Sequence, residues 1–193
     1  MNKRPEATRK TRERIVRAFW TVYEEVKSVR RVTVGTVSQK ARVNRSTFYQ
    51  YFVDIYALLD VVEDELIGEI QESAEEALTA GDPVAGFEEK GRRFLEAYGE
   101  RLGILLCAEE ANSFILKLTR AVKPIILDRF HLDAEDEETA CLLMYELSGV
   151  IGCLQNWYLE GQRMPAATLV PLLQTFMRRT IGAPSDKFEN IDG

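Results

Sequence analysis

Arg45, Ser46, Thr47, Tyr49, Gln50 and Tyr51 crowd into one stretch, VNRSTFYQYF, at residues 43–52. Together they offer a guanidinium, two hydroxyls, a primary amide and two phenols. An arginine can contact phosphate or the O6/N7 edge of guanine, and a glutamine can read adenine. Serine and threonine reach bases or phosphate oxygens, and tyrosine hydroxyls bond phosphates while their rings brace them. Between these polar groups stand Phe48 and Phe52, four residues apart and so on one side of a helix. A core helix has no use for the polar residues, and a solvated helix has no use for the rings. A helix with one side turned into a core and the other turned to a ligand uses both. The bland alternative is a short amphipathic core helix whose polar residues are merely solvated.

Such a segment must be held by its neighbours. Thr33 is a plausible N-cap for a helix over VGTVSQKA, with Val34, Val37 and Ala41 on one side. ARVN then reads as a turn. Asn44 caps a third helix over 45–51, and Asp54 caps a fourth. Helix, tight turn, helix is the arrangement in which the second helix enters the DNA major groove with its N-terminal residues on base edges. Thr33 and Thr36 become candidates for phosphate contacts. A first helix over 8–29, capped by Thr8 or Thr11, presents Ile15, Ala18, Phe19, Val22 and Val26 on one face. Phe48 and Phe52 are expected to pack against Phe19, Val22, Val37 and Val43.

Charge points the same way. Residues 1–50 carry 13 basic and 4 acidic side chains, a net of +9, and the remainder carries 12 and 27, a net of −15. One end is suited to a polyanion and the rest is repelled by it. Lys3, Arg4, Arg9, Lys10 and Arg12 form a basic arm that adds sequence-independent attraction. No Gly-rich phosphate loop, nucleophile elbow or His/Cys pair is present, so no catalytic residue and no enzyme activity is expected. His131 is the single histidine, and Cys107, Cys141 and Cys153 lack CxxC spacing. The histidine reads as a helix-end or surface residue and the cysteines as small buried hydrophobes, with no metal site and no cofactor. The start of the chain has no apolar signal region and no segment reads as membrane-spanning, so a cytoplasmic location is expected.

The rest of the chain also reads as helix, giving an all-α fold. The fourth helix runs over about 54–79, with Ile55, Leu58, Leu59, Val62, Leu66, Ile70 and Ala74 as its stripe, and ends at the Gly81–Pro83 punctuation. Further helices are expected near 83–102, 104–110, 112–130, 134–161 and 165–181. Pro124 should kink the third of these, and Pro165 should open the last. The expected division is a helix-turn-helix domain over 1–53, a helical regulatory and dimerisation domain over 54–182, and a polar tail over 183–193.

The stretch TVGTVSQKARVNRSTFYQYFVDIYALLDVV resembles the DNA-binding head of the TetR family of bacterial transcriptional regulators. Three elements carry the likeness. They are the N-terminal helix ERIVRAFWTVYEE, the pattern Thr33, Val34, Val37, Ala41, Val43, and the run Thr47–Phe52 followed by Asp54, Leu58 and Leu59. The likeness covers roughly residues 8–62. Two departures stand out: Arg42 occupies a turn position where glycine is usual, and Ile55 stands where a phosphate-contacting lysine is common. The segments GILLCAEEANSFILKLTRAVKPIIL and LSGVIGCLQNWYLEGQRMPAATLVPLL look more loosely like the body of dihydroxyacetone-kinase-type regulators of that family.

The resemblance implies a regulator, a repressor in the leading reading, that binds a palindromic double-stranded operator as a homodimer. Its DNA-contacting residues would be Thr33, Thr36, Asn44, Arg45, Ser46, Thr47, Tyr49, Gln50 and Tyr51. Its body would dimerise and sense a small apolar effector. The sequence supports a partner helix independently, because helix 134–161 has more large apolar residues than one stripe can hold. The expected interface comprises Leu143, Leu147, Val150, Ile151, Leu154, Tyr158, Leu169, Leu173 and Phe176. Candidate effector contacts are Phe94, Tyr98, Leu102, Leu105, Phe114, Leu118, Met144, Leu147 and Trp157. The alternative is a helical protein-interaction module that no longer reads DNA sequence.

Overall fold

The computed structural model describes residues 3–79 and 83–181. These residues form α1 (Lys3–Val26), α2 (Val34–Ala41), α3 (Arg45–Phe48), α4 (Ile55–Thr79), α5 (Pro83–Cys107), α6 (Ala111–Phe130), α7 (Glu137–Leu159) and α8 (Ala166–Ile181), with a 3-10 turn at Val29–Arg31. No strand occurs among the described residues. The fold is all-α. The chain packs as two compact units: the residues up to Gly68 with Glu100–Phe114, and Glu69–Gly99 with Ile115 onward. This division by packing differs from a cut at 53/54, because the first part of α4 and the corner between α5 and α6 belong with the N-terminal helices. The expected helix stop at Gly81 and the polar tail lie outside the described residues.

Local chemistry explains most boundaries. Thr33 and Thr36 form a reciprocal capping box at α2, each backbone N–H donating to the other's hydroxyl oxygen at 3.1 Å. Asp54 accepts the Ala57 N–H at 2.7 Å and so opens α4. Asp136 accepts the Thr139 N–H at 2.8 Å and opens α7, followed by Glu137 and Glu138 in the first turn. Burial makes the two cores. Phe19, Tyr23, Val37, Phe48, Leu58, Val62, Leu105 and Phe114 are buried in the first unit, and Leu118, Ile126, Leu143, Ile151, Leu169, Val170 and Leu173 in the second.

Several boundaries correct the sequence reading. α1 begins at Lys3, so Thr8 and Thr11 lie inside it and cap nothing. Pro5 sits in its first turn, where a missing N–H costs no hydrogen bond. The basic arm is therefore helical from Lys3 on. Asn44 stands at the N-cap of α3 but its side chain makes no capping bond. α3 itself is shorter than 45–51: beyond Phe48 the chain continues as a tightened turn, with Gln50 N–H to Thr47 C=O at 3.2 Å and Tyr51 N–H to Phe48 C=O at 2.9 Å. The separate helix at 104–110 does not exist; α5 continues to Cys107. The chain breaks afterwards because the Glu109 N–H is drawn away to the Lys27 carbonyl at 3.0 Å. Pro165 precedes α8 instead of opening it, its carbonyl accepting from Thr168 and Leu169. Cys107 is half-buried, whereas Cys141 and Cys153 are exposed on α7, so these two are not core hydrophobes.

Candidate nucleic-acid interface

The segment 45–52 has two sides. Phe48 is 0% exposed and Phe52 5%, their ring centroids 5.7 Å apart. Arg45, Ser46, Tyr49 and Gln50 are exposed, while Thr47 and Tyr51 are half-buried. Thr33, Thr36 and Asn44 are exposed as well, so most of the polar candidates on α2, the turn and the following segment are open to solvent. Tyr49 stands edge-on to Phe48, centroids 5.7 Å apart, so the core ring braces the outer one. The side chains at Thr33 and Thr36 are also occupied with capping one another.

Arg42 has the left-handed backbone, φ 54° and ψ 48°, that the turn demands. Its N–H bonds to the Gln39 carbonyl at 3.1 Å, and the Val43 N–H bonds to the Ser38 carbonyl at 3.0 Å. Sequence reasoning missed what secures this turn. Arg14 on α1 donates to the carbonyls of Ala41 at 2.6 Å and Arg42 at 2.9 Å. Those are among the orphan carbonyls of the α2 C-terminus, and a cation there also suits the helix dipole. The four-residue spacing of apolar groups on α1 gives no hint of it, because the contact spans 27 residues.

Several cations of the basic half are engaged internally. Arg12 pairs with Glu65 at 2.7 Å and lies 5.7 Å over the Phe52 ring. Lys40 pairs with Glu25 at 3.1 Å, and Arg31 with Glu109 at 2.9 Å. Arg9 has Glu13 at 3.7 Å along its own helix. Ile55, at the position where the resemblance leads one to look for a lysine, is buried. No phosphate contact can come from it.

A second polar cluster was also invisible in sequence. Glu110, just before α6, accepts the Ser28 hydroxyl at 3.1 Å and the Val29 N–H at 3.2 Å. It also hydrogen-bonds the Tyr23 phenol. Burial, followed by the charges of Glu110 and Glu63, pushes the Tyr23 hydroxyl well above the usual phenol range. The corner between α5 and α6 is thus fastened to the end of α1.

In the second unit, α7 packs on α8. Leu143 and Ile151 on α7, and Leu169 and Leu173 on α8, are buried within the protomer. Leu147, Val150, Leu154 and Tyr158 are half-buried. Beyond the acidic first turn, the exposed residues of α7 are Cys141, Met144, Tyr145, Ser148, Gly149, Gly152, Cys153, Asn156 and Leu159. Met144, Tyr145 and Leu159 are each 70% exposed or more, and Phe176 on α8 is 49% exposed. A groove of about 330 Å³ on α7 and α8 is lined by Tyr145, Glu146, Gly149, Val150, Cys153, Leu173, Phe176 and Arg179. The candidate effector contacts do not line it. Leu102, Leu105 and Phe114 fall in the first unit's core, and Met144 faces outward. Phe94, Tyr98, Leu147 and Trp157 are half-buried and Leu118 buried in the second unit. Phe94 stacks near Tyr98 at 5.3 Å, and the Trp157 indole N–H donates to the Met164 carbonyl at 2.6 Å. His131 is exposed at the end of α6 with φ 53°. No helix of the described residues is long and apolar enough to cross a membrane.

Compared by sequence, no family model and no curated protein matches the chain. Solved structures do match it. A tetR-family transcriptional regulator from Streptomyces coelicolor superposes with a TM-score of 0.62 at 16% identity, covering 88% of this chain and 81% of that one. The dihydroxyacetone kinase operon activator DhaS gives 0.54 at 17% identity, covering 88% and 97%. The TetR family repressor AlkX from Dietzia sp. strain DQ12-45-1b, implicated in biodegradation of n-alkanes, gives 0.55 at 16% identity, covering 88% and 96%. The chain has the fold of these proteins, and each of them is named as a regulator.

Proposed function

We propose that a chain with the fold of TetR-family regulators, and with this exposed polar surface on its second and third helices, is a DNA-binding transcriptional regulator. It acts as a homodimer on a palindromic operator, as a repressor released by a small apolar effector. The observation that carries the reading is the division of residues 45–52, with Phe48 and Phe52 buried and Arg45, Ser46, Tyr49 and Gln50 exposed. Packing alone would require the rings but not that row of base- and phosphate-seeking groups beside a +9 segment.

A dimer fits the open apolar face of α7 and α8. Gly149 and Gly152 have nothing within 4 Å of where a side chain would begin, so another helix can approach closely there. Two such heads would enter successive major grooves if their recognition segments stand ~34–36 Å apart. An effector held in the second unit would act by favouring a conformer with the wrong spacing, and DNA would favour the other. The half-buried Phe94, Tyr98 and Trp157 are the aromatic groups best suited to contact it.

The test is a titration against duplex DNA from immediately upstream of the coding region and against a shuffled duplex, at two salt concentrations. A preference of roughly 10³-fold or more at physiological salt is expected. Equal, steeply salt-dependent binding to both would reduce the head to a phosphate binder. The buried Ile55 and the non-glycine turn at Arg42 favour a second reading, a helical interaction module without sequence-specific DNA binding. Under that reading Arg45→Ala and Tyr49→Ala leave every DNA titration unchanged.

A further inference from the structure

Arg45 opens the recognition segment, where a guanidinium has two possible targets, a base edge or the phosphate backbone. Its placement decides between them. The side chain does not extend along α3. It reaches back across the first turn of α2 and lies over Gly35: a Cβ built at Gly35 would stand 2.7 Å from Nη2 and 3.4 Å from Cζ of Arg45. The glycine is thus the floor of a trough that the guanidinium fills. Gly35 has no left-handed backbone, so the open space, not the conformation, is what the structure uses here.

The first turn of α2 is also where Thr33 and Thr36 stand exposed. In a helix-turn-helix the second helix lies in the groove, whereas the first crosses the sugar-phosphate backbone. A guanidinium laid on the first helix therefore faces the backbone. Among the described residues no carboxylate forms an ion pair with Arg45, in contrast to Arg12, Arg31 and Lys40. Its charge is available to an oxyanion.

Resting on the DNA-binding reading above, we infer that Gly35 is a positioning residue that holds the Arg45 guanidinium on the phosphate backbone, so that Arg45 contributes affinity and not sequence preference. Ile55 leaves the usual cation position empty of charge, and Arg45 on Gly35 supplies one phosphate contact from a different place.

The experiment selects bound duplexes from a randomised 30-base-pair pool with the full chain, then titrates the selected duplex over a salt series with wild type, Gly35→Ala, Arg45→Gln and the double variant. Thermal unfolding of each protein checks folding. Arg45→Gln should weaken selected and random duplexes by a similar factor, lower the salt slope by about 0.9, the value of a single neutralised phosphate, and return the same consensus. Gly35→Ala should do part of this in wild type and nothing further in the Arg45→Gln background. A consensus relaxed at one base pair in Arg45→Gln, with the salt slope intact, would overturn the inference by making Arg45 a base reader. Additive effects of Gly35→Ala and Arg45→Gln would overturn it by removing the link between the two residues. If Gly35→Ala unfolds, Arg45→Lys replaces it: a flexible ammonium that restores the salt slope but not the full affinity is expected, and full restoration of both would show that the trough is idle. Selection of no duplex by wild type would remove the regulator reading itself, and this inference with it.

Discussion

Arg42 shows how much can be read from one position and how much cannot. The ARVN turn and its departure from glycine were legible in sequence, and the left-handed φ of 54° agrees with them. What compensates the strain was not legible, because the Arg14 guanidinium comes from another helix. Arg42→Gly should stabilise the chain by a few tenths to about 1 kcal/mol, the relief of the left-handed residue less the added freedom of the unfolded chain. Arg14→Ala should cost about 1–2 kcal/mol, since it leaves two helix-end carbonyls without a donor. Urea midpoints measure both, and an unchanged midpoint in Arg14→Ala would mean that solvent serves those carbonyls equally well. Tyr23 gives a pH prediction. Its folded-state pKa is raised, so the stability it contributes is fully present below the unfolded phenol value of about 10 and declines as pH rises beyond it. Stability measured from pH 8 to 11 should fall more gently in Tyr23→Phe than in wild type. Parallel curves would mean that the phenol ionises as easily in the native state as in the unfolded one.

Among the elements, the caps at Thr33 and Asp54 were legible, and the ends of the long helices were the least legible. Thr8 and Thr11, expected as caps, lie inside α1, and Asn44 makes no capping bond. Thr33 and Asp54 act within three residues of themselves, so local pattern suffices to find them; Asp136 acts over the same distance but was not read as a cap. α5 runs to Cys107 and stops because Glu109 and Glu110 bond residues about 80 positions earlier, which no local window contains. On α7 the expected interface residues divide: Val150 lines the open groove, as do Leu173 and Phe176 of α8, whereas Leu143 and Ile151 are buried within the protomer. Sequence pattern marks Leu143 and Ile151 as apolar but cannot tell that the protomer itself already covers them. The uncovered stripe holds smaller and mixed residues, Ser148, Gly149, Gly152 and Cys153 among them. Tyr145→Glu should therefore dissociate the proposed dimer while changing protomer stability by less than about 0.5 kcal/mol. Ile151→Glu should unfold the second unit instead, because it buries an unpaired charge. Sedimentation with a parallel melting curve distinguishes the two, and a dimeric Tyr145→Glu protein would place the interface on another surface.

For the whole molecule, the charge division of +9 against −15 was the clearest statement the sequence made about a polyanionic partner. The structure lowers the number of cations free to meet it. Of the 13 basic residues in that half, Arg12, Arg14, Arg31 and Lys40 are committed to carboxylates or carbonyls. Lys40→Gln should leave the salt slope of DNA binding unchanged, and a decrease of about 0.9 would show that its pair with Glu25 opens on the duplex. In the proposed dimer, the two exposed thiols of α7 act as a clock for association. Cys141 and Cys153 lie along the open face, with Cys153 in the groove, whereas Cys107 is half-buried and its thiol is pushed up by desolvation. Alkylation by a small iodoacetamide should be fast at Cys153 in dilute protein and slow as concentration rises, while Cys107 reacts at one slow rate throughout. The concentration at which the Cys153 rate halves is then a dissociation constant, read from unlabelled wild-type protein by mass spectrometry alone.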